Sequence, residues 1–102
     1  MCIRDRKEAA RGATGALRIN SVSPGGVDTQ LTPSFREQMG ADYSDWLRSF
    51  TDRGATPDEM AEPIVWLAVG NSRWVNGADL MVDRGLEAGL ISGWVDRDQA
   101  PT

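Results

Sequence analysis

The amino-acid sequence predicts an α/β protein with two strands in a parallel sheet, on three observations. Residues 17–22 (LRINSV) alternate apolar and polar side chains, as a half-buried strand does. Residues 78–83 (ADLMVD) form a second short strand after the turn dipeptide Asn76-Gly77. A helix with strong start signals lies between them, and a strand–helix–strand order predicts a right-handed crossover between parallel strands. Because two strands and a helix do not make a stable sheet alone, we expect a truncated portion of a larger α/β domain.

Composition and charge exclude several classes of function. The 102 residues include 11 basic and 15 acidic side chains, scattered along the chain, for a net charge of −4. This balance argues against nucleic-acid and anionic-membrane partners. With one cysteine and no histidine, we expect no metal site, no internal disulfide and no Ser-His-Asp catalysis. No apolar run approaches the roughly 18 residues of a membrane span and no signal peptide is visible, so we expect a soluble, cytoplasmic protein.

The first residues of the chain are expected to be foreign to the fold. Residues 1–6 (MCIRDR) have no hydrophobic period, and they back-translate to a string that matches the end of an adapter used in preparing sequencing libraries. We therefore expect the native segment to enter at about Lys7, within a longer reading frame. Residues 7–13 then form the tail of a helix that Gly12 and Gly15 end.

A long connection follows the first strand. Residues 23–26 (SPGG) form a turn cluster that stops the strand, and residues 27–55 contain helical pieces. One piece covers residues 33–39 and closes at Gly40. The other covers residues 43–50 and places its apolar side chains on one helical face. A connection of this length in a compact domain usually forms a functional lid or a binding loop.

The next helix begins at Thr56, where Glu59 completes a capping box and Pro57 fits the first helical position. Gly70 should end it, and Pro63 should remove a hydrogen bond or bend it. Its spacing predicts a buried stripe formed by four side chains, Met60, Ile64, Leu67 and Ala68.

The end of the chain is glycine-rich and then polar, and we expect it to fray after Val95. Residues 7–95 are therefore expected to be the folded part and residues 96–102 a flexible tail.

Three linked segments resemble the short-chain dehydrogenase/reductase family. Residues 18–29 (RINSVSPGGVDT) resemble its R-[IV]-N-x-[VI]-x-P-G-x-[VI]-x-T segment, and residues 55–61 (ATPDEMA) resemble the start of its penultimate helix. Residues 74–85 (WVNGADLMVDRG) resemble its final strand, usually x-[IV]-x-G-x-x-[IL]-x-V-D-G-G. The resemblance covers about residues 16–90, and Arg84 stands where the family usually has glycine.

The resemblance implies the carboxyl-terminal portion of a Rossmann-type, doubly wound parallel sheet in the order strand, lid helices, helix, strand. The intact parent enzyme would use NAD or NADP to interconvert a small-molecule alcohol and ketone by hydride transfer. Residues 86–88 (LEA) suggest the branch that acts on hydroxysteroids or aromatic alcohols. The residue that separates NAD from NADP follows the family's second strand, which this sequence does not contain.

The resemblance also implies site residues, because ligands of doubly wound sheets bind outside the carboxyl ends of the strands. The Val27 backbone would meet the nicotinamide carboxamide, and the Thr29 hydroxyl would bond the carboxamide or the pyrophosphate. A missing Cβ at Gly25 would let the backbone approach a flat ring. The implied cofactor-binding residues are Pro24, Gly25, Gly26, Val27 and Thr29.

Apolar residues of the connection are candidates for the substrate side of the site, since such pockets are mostly apolar. They are Leu31, Phe35, Met39, Trp46 and Phe50. The alternative for each is that it packs the lid helices onto the core. Trp66 and Trp74 are expected in the core or in a subunit interface instead.

No catalytic residue of the family is carried over to this chain. The family's acid–base pair is spaced Y-x-x-x-K, but the one tyrosine, Tyr43, is not followed by lysine at that spacing. Lys7 lies 11 residues before Arg18, which is too close for the helix that normally separates them. The glycine-rich phosphate loop is also missing from the sequence.

Two hypotheses follow. The first is an enzyme fragment, inactive alone. The second is a free-standing, non-catalytic module that associates with itself through the final helix and strand, where the family usually forms homo-oligomers.

Overall fold

The computed structural model describes residues 2–13 and 17–101, so Gly15, one of the two predicted helix ends, lies outside the described residues. The described elements are five α-helices, two strands and one 3₁₀ turn. They are α1 (Ile3–Arg11), β1 (Ser21–Pro24), α2 (Thr32–Met39), α3 (Ala41–Thr51), α4 (Pro57–Val69), β2 (Asp79–Val82), α5 (Leu86–Ser92) and the 3₁₀ turn Arg97–Gln99.

The two strands are parallel, which confirms the pairing that the sequence predicts. The register runs from Ser21 opposite Asp79 to Pro24 opposite Val82. Strand β1 thus begins and ends later than predicted. Residues 17–20 precede the ladder, and Pro24 belongs to the strand because a proline at its last position costs no ladder hydrogen bond: the next bond runs from Gly25 N to the Val82 carbonyl, at 2.9 Å.

Helix α1 includes residues 3–6, and the adapter origin of residues 1–6 stays a prediction. Its Arg and Asp side chains are compatible with a helix, and no side-chain cap precedes Ile3. Gly12 caps its carboxyl end, as predicted. Ala9 is buried, and its carbonyl accepts a hydrogen bond from Asn76 Nδ2 at 2.7 Å, which ties α1 to the segment before β2.

The predicted lid consists of α2 and α3, joined at Gly40. This glycine has a φ of 94°, which favours glycine and lets the chain turn sharply between the helices. Arg36 of α2 forms a two-point ion pair with Asp45 of α3, with distances of 3.1 and 2.6 Å. The two helices therefore pack as one unit.

Helix α4 has the capping box that the sequence predicts. Thr56 Oγ1 accepts from Glu59 N at 3.2 Å, and Glu59 Oε1 accepts from Thr56 N at 2.9 Å. Pro63 lies inside the helix, where it cannot donate a backbone hydrogen bond, and Gly70 ends the helix as predicted.

The predicted buried stripe of α4 is half wrong. Met60 and Leu67 are buried, whereas Ile64 is 51% exposed and Ala68 is also exposed. The helix packs on β1, and the spacing of its apolar residues does not show how much of their surface that contact covers. Trp66 and Trp74 are both exposed, and Trp74 fully so, which makes a place in the core wrong for both. Their alternative placement in a subunit interface stays a prediction.

The chain after β2 folds further than expected. Asp83 accepts hydrogen bonds from Gly85 N at 3.0 Å and Glu87 N at 2.7 Å, which satisfies amides at the start of α5. Val95 is buried, and its amide donates to the Gly89 carbonyl at 3.0 Å. Residues 96–102 contain the 3₁₀ turn, and their flexibility stays a prediction. Within the described ranges, no helix is both long enough and apolar enough to cross a membrane.

Candidate functional site

The loop after β1 lies at the carboxyl end of the parallel pair and is held by Ala55. Ala55 N donates to the Gly26 carbonyl and Asp28 N donates to the Ala55 carbonyl, both at 2.8 Å. In such a parallel bridge the central residue's own amide and carbonyl point the opposite way. The Val27 carbonyl accepts from Thr32 Oγ1 at 3.3 Å. The Val27 N–H has no hydrogen-bond acceptor among the described residues, so it is available to a ligand.

The two glycines of this loop differ in their surroundings. A Cβ on Gly25 would lie 2.8 Å from Asp83 Cβ and 2.9 Å from Asp83 Cα, so Gly25 lets the loop approach the turn after β2. A Cβ on Gly26 would meet nothing within 4 Å. The position with open space for a flat ring is therefore Gly26, while glycine at position 25 is required by packing inside the chain.

Thr29 begins the turn that leads into α2. Its Oγ1 accepts a hydrogen bond from Leu31 N at 3.1 Å, and its own amide donates to Thr32 Oγ1 at 2.8 Å. Its hydroxyl hydrogen has no acceptor among residues 2–13 and 17–101, so it can donate to a ligand.

A cleft of about 460 Å³ lies between this loop, the lid helices and the start of α5. Six of the ten predicted site residues line it: Gly25, Gly26, Val27, Thr29, Phe35 and Met39. The remaining four, which lie outside its lining, are Pro24, Leu31, Trp46 and Phe50. The loop and part of the lid thus share one concave surface.

Two of those four residues pack within the lid. The Trp46 and Phe50 rings meet edge to face with centroids 5.1 Å apart, and Tyr43 lies 5.8 Å from Trp46. All three rings belong to α3, so these contacts lie within one helix, and the alternative that Trp46 and Phe50 pack the lid helices onto the core stays a prediction.

Sequence reasoning missed nine residues of the cleft lining, six of them polar. The missed residues are Thr32, Arg36, Ser44, Leu47, Arg48, Thr51, Gly54, Asp83 and Leu86. Those on α2 and α3 follow the helical spacing of one face each, so applying that period to polar as well as apolar residues would have found them.

The arginines of the cleft are already paired. Arg48 contacts both Asp28 carboxylate oxygens, at 2.7 and 3.1 Å, which joins α3 to the loop after β1. The hydrogen bond from Arg48 lowers the pKa of Asp28, and the bond from Arg36 lowers the pKa of Asp45. All four groups are therefore charged at neutral pH, and neither guanidinium is without a counter-ion.

The polar residues at the start of the first motif are structural. Asn20 Nδ2 donates to the Val75 carbonyl at 2.9 Å, and its Oδ1 accepts from Ala78 N at 3.0 Å. Asn76 Oδ1 accepts from Ile19 N at 3.0 Å. These side chains join the segments that lead into β1 and β2 and so position the loop beyond β1. Among the described residues, no group of three or more His, Cys, Asp or Glu side chains could hold a metal ion.

Comparison with known proteins agrees with this geometry. A family model described as enoyl-(acyl carrier protein) reductase matches residues 6–87. The chain is 35% identical over 80 residues to the short chain dehydrogenase/reductase astE of Aspergillus oryzae, covering 76% of this chain and 31% of that protein. It is 34% identical over 93 residues to a 3-alpha-(or 20-beta)-hydroxysteroid dehydrogenase of Mycobacterium tuberculosis, covering 82% of this chain and 33% of that protein.

A solved structure extends the comparison to the fold. The gluconate 5-dehydrogenase of Burkholderia cenocepacia, in complex with NADP and tartrate, is 30% identical with a TM-score of 0.71, covering 84% of this chain and 34% of that chain. The class is therefore a Rossmann-type α/β protein. The chain belongs to the short-chain dehydrogenase/reductase family, and it spans about a third of the length of the relatives it matches.

Proposed function

We propose that the chain is part of an NAD(P)-dependent oxidoreductase that interconverts an alcohol and a carbonyl by hydride transfer. In this proposal it supplies the nicotinamide side of the site and the substrate lid. The observation that carries the proposal is the Val27 N–H at the carboxyl end of β1. It faces away from the bridge that holds the loop and has no acceptor among the residues that the structure describes. The NADP-bound relative supports NAD or NADP as the cofactor.

Val27 and Thr29 would orient the nicotinamide in complementary ways. An amide N–H can donate to the carboxamide oxygen, and the Thr29 hydroxyl can donate to a second acceptor on the cofactor. Gly26 leaves room beside them, since no atom lies within 4 Å of the Cβ it lacks. The nicotinamide supplies the hydride chemistry when it is bound. The residues of this chain bind and orient the ring.

The lid would enclose a small-molecule alcohol or ketone. Phe35, Met39 and Leu47 give the cleft an apolar wall, and both cleft arginines are neutralised by carboxylates. Such a wall suits an apolar hydroxyl compound of the hydroxysteroid or aromatic-alcohol type, and the hydroxysteroid dehydrogenase relative supports this choice. A cytoplasmic location stays a prediction.

The chain alone should be inactive, because Tyr43 has no lysine at the Y-x-x-x-K spacing and the sequence has no glycine-rich phosphate loop. Purified chain incubated with NADH or NADPH and a carbonyl substrate should show no turnover. Turnover that depends on the nicotinamide would contradict inactivity.

Reading the genomic locus upstream of Lys7 tests the parent enzyme. We expect a continuing frame that carries Y-x-x-x-K and the glycine-rich loop, and codons for residues 1–6 that match the adapter string. A natural start at Met1 with neither motif upstream would overturn this proposal.

The alternative is a non-catalytic module that associates with itself through the final helix and strand that the sequence predicts, which are α4 and β2. The observation in its favour is the uncovered apolar surface of α4, where Ile64, Val65 and Val69 are exposed. A cooperative unfolding transition of residues 7–102 alone, with dimers in sedimentation, would support the alternative. Molten or aggregated behaviour would support the larger enzyme, because an unpaired sheet edge exposes backbone groups.

A further inference from the structure

Two non-glycine residues of the described chain have a positive φ, and one hydrogen bond connects the second to the chain neighbour of the first. Asp52 has a φ of 69° and Arg84 a φ of 60°. Arg84 Nη1 donates to the carbonyl of Thr51, immediately before Asp52, at 2.8 Å. The contact links the last residue of α3 to the turn that follows β2.

Side chains with a Cβ rarely adopt this backbone conformation, and it persists only where surrounding contacts hold it. A glycine at position 84, the residue usual in the family, would adopt it without strain. The arginine therefore holds a strained backbone conformation, and its side chain places a cation at the carboxyl end of α3, where the helix dipole is negative.

Helix α3 is attached to the ends of both strands by arginines. Arg48 joins it to Asp28 in the loop after β1, and Arg84 joins its carboxyl end to the turn after β2. Thr51 and Arg48 both line the cleft. These two contacts, together with the packing of α3 against α2 and α5, hold α3 in position and so help to set the width of the cleft.

We propose that Arg84 is a positioning residue that holds the carboxyl end of α3 against the end of β2 and so fixes the lid wall of the cleft. The contact itself does not depend on the proposed function. Its consequence for a substrate rests on that function.

Three substitutions separate the hydrogen bond from the backbone strain. Arg84→Gly removes both, Arg84→Ala keeps the strain and removes the donor, and Arg84→Lys keeps the strain and a cationic donor. Arg73→Ala is the matched control, because Arg73 is exposed and forms no side-chain hydrogen bond or ion pair with the described residues.

Hydrogen exchange, followed by mass spectrometry, measures the contact without any need for activity. It is measured in a chimaera in which residues 7–95 replace the corresponding third of the Burkholderia cenocepacia gluconate 5-dehydrogenase, because that protein completes the sheet whether or not the chain folds alone. In Arg84→Gly and Arg84→Ala, amides of α2 and α3 should exchange about two- to fivefold faster, which is what a cation at an exposed helix end contributes. Amides of α4 should be unchanged, and Arg84→Lys should stay closer to the natural chain. Unchanged exchange in α2 and α3, equal acceleration in α4, or a lysine variant that behaves like alanine would overturn the proposal.

The kinetics of the same chimaera provide a second measurement and separate this proposal from the proposed function. With an active chimaera, Arg84→Gly should raise KM for the carbonyl substrate and leave KM for the cofactor unchanged. If Arg84→Gly and the unaltered chimaera have the same KM for the carbonyl substrate, the positioning role is overturned. A folded chimaera without hydride transfer would count against the proposed function alone.

Discussion

Arg18 shows how a residue of a functional motif can be structural. Its guanidinium donates to three carbonyls, those of Leu67, Ser72 and Val75, each at 2.9 Å. These carbonyls belong to the end of α4 and to the turn before β2. Because the planar guanidinium presents several donors in a fixed arrangement, one side chain satisfies acceptors from two segments. Arg18 therefore positions the loop that begins a few residues later without reaching the cleft.

Replacing Arg18 should destabilise the protein without affecting the loop chemistry directly. A lysine is a point charge and cannot bond three separated carbonyls, so Arg18→Lys should lower the free energy of unfolding by about 1–3 kcal/mol. Urea unfolding of the chimaera measures this loss. Arg73→Ala is the control and should change stability by less than about 0.5 kcal/mol, because Arg73 is exposed and forms no side-chain hydrogen bond or ion pair with the described residues. Equal stability of Arg18→Lys and the natural sequence would refute the structural role.

Glu59 predicts an acid dependence. Two hydrogen bonds from Arg53, together with those of the capping box, lower the pKa of Glu59 to about 2. A carboxyl group whose pKa is lower in the folded state stabilises that state above its unfolded pKa of about 4.3. This contribution should be lost as the pH falls from about 4.3 towards 2.

Glu59→Gln isolates the charge, because glutamine can still complete a capping box. The variant should show a smaller loss of stability than the natural sequence between those pH values, measured by urea unfolding of the chimaera at each pH. The lowered pKa values of Asp28, Asp45 and Asp79 act in the same direction and are common to both proteins. Identical pH dependence of the two proteins would rule out the Glu59 contribution.

At the scale of elements, the ends of the two strands are joined by a close backbone approach. Gly25 N donates to the Val82 carbonyl, and the space where Gly25 lacks a Cβ is occupied by Asp83. Asp83 in turn caps the start of α5. The loop, the turn after β2 and α5 are therefore coupled through one glycine.

Gly25→Ala should force the strand ends apart. Its Cβ would lie 2.9 Å from the backbone Cα of Asp83, so backbone must move, and we expect a loss of about 1–3 kcal/mol in the unfolding free energy of the chimaera. Gly26→Ala is the matched control, since open space surrounds that position and its change should stay below about 1 kcal/mol. Similar losses in the two variants would disprove the packing explanation.

The sequence predicted those elements whose signals are local. The capping box at Thr56, the helix ends at Gly12, Gly40 and Gly70, and the parallel pairing all follow from neighbouring residues or from the order of elements. The exposure of Ile64 could not be predicted, because helical spacing shows which residues share a face of the helix but not which element covers that face. The helix α5 was missed because its cap, Asp83, was assigned to a strand end.

The candidate site was predicted unevenly for a similar reason. The loop after β1 follows a specific motif, and four of its five predicted residues line the cleft. The helical period could have placed Arg36 and Arg48 on the cleft face, but it could not predict their ion pairs with Asp45 and Asp28, because only the folded lid brings those side chains together. The strain at Arg84 likewise has no signal in the sequence apart from the departure from glycine.

At the scale of the whole molecule, the core is small for the apolar surface that it leaves exposed. The buried hydrophobic residues of the described chain are Ala9, Met60, Leu67 and Val95. Large apolar side chains stay exposed on α4 and beyond, with Trp74 fully exposed. The chain spans about a third of the length of the relatives it matches. An exposed apolar surface of this kind is what a two-stranded portion of a larger sheet would leave uncovered.

The most direct measurement of the central claim is KM for NADP in the chimaera with Thr29 altered. Thr29→Val removes the hydroxyl and should raise KM for NADP about two- to tenfold, the value of one hydrogen bond. Thr29→Ser keeps the hydroxyl, so its KM for NADP should stay within about twofold of the unaltered chimaera. Ser49→Ala removes an exposed hydroxyl of α3 outside the cleft lining, and its KM for NADP should also stay within about twofold. An active chimaera whose KM for NADP is the same with valine, serine and threonine at position 29 would contradict the assignment of this loop to the nicotinamide site.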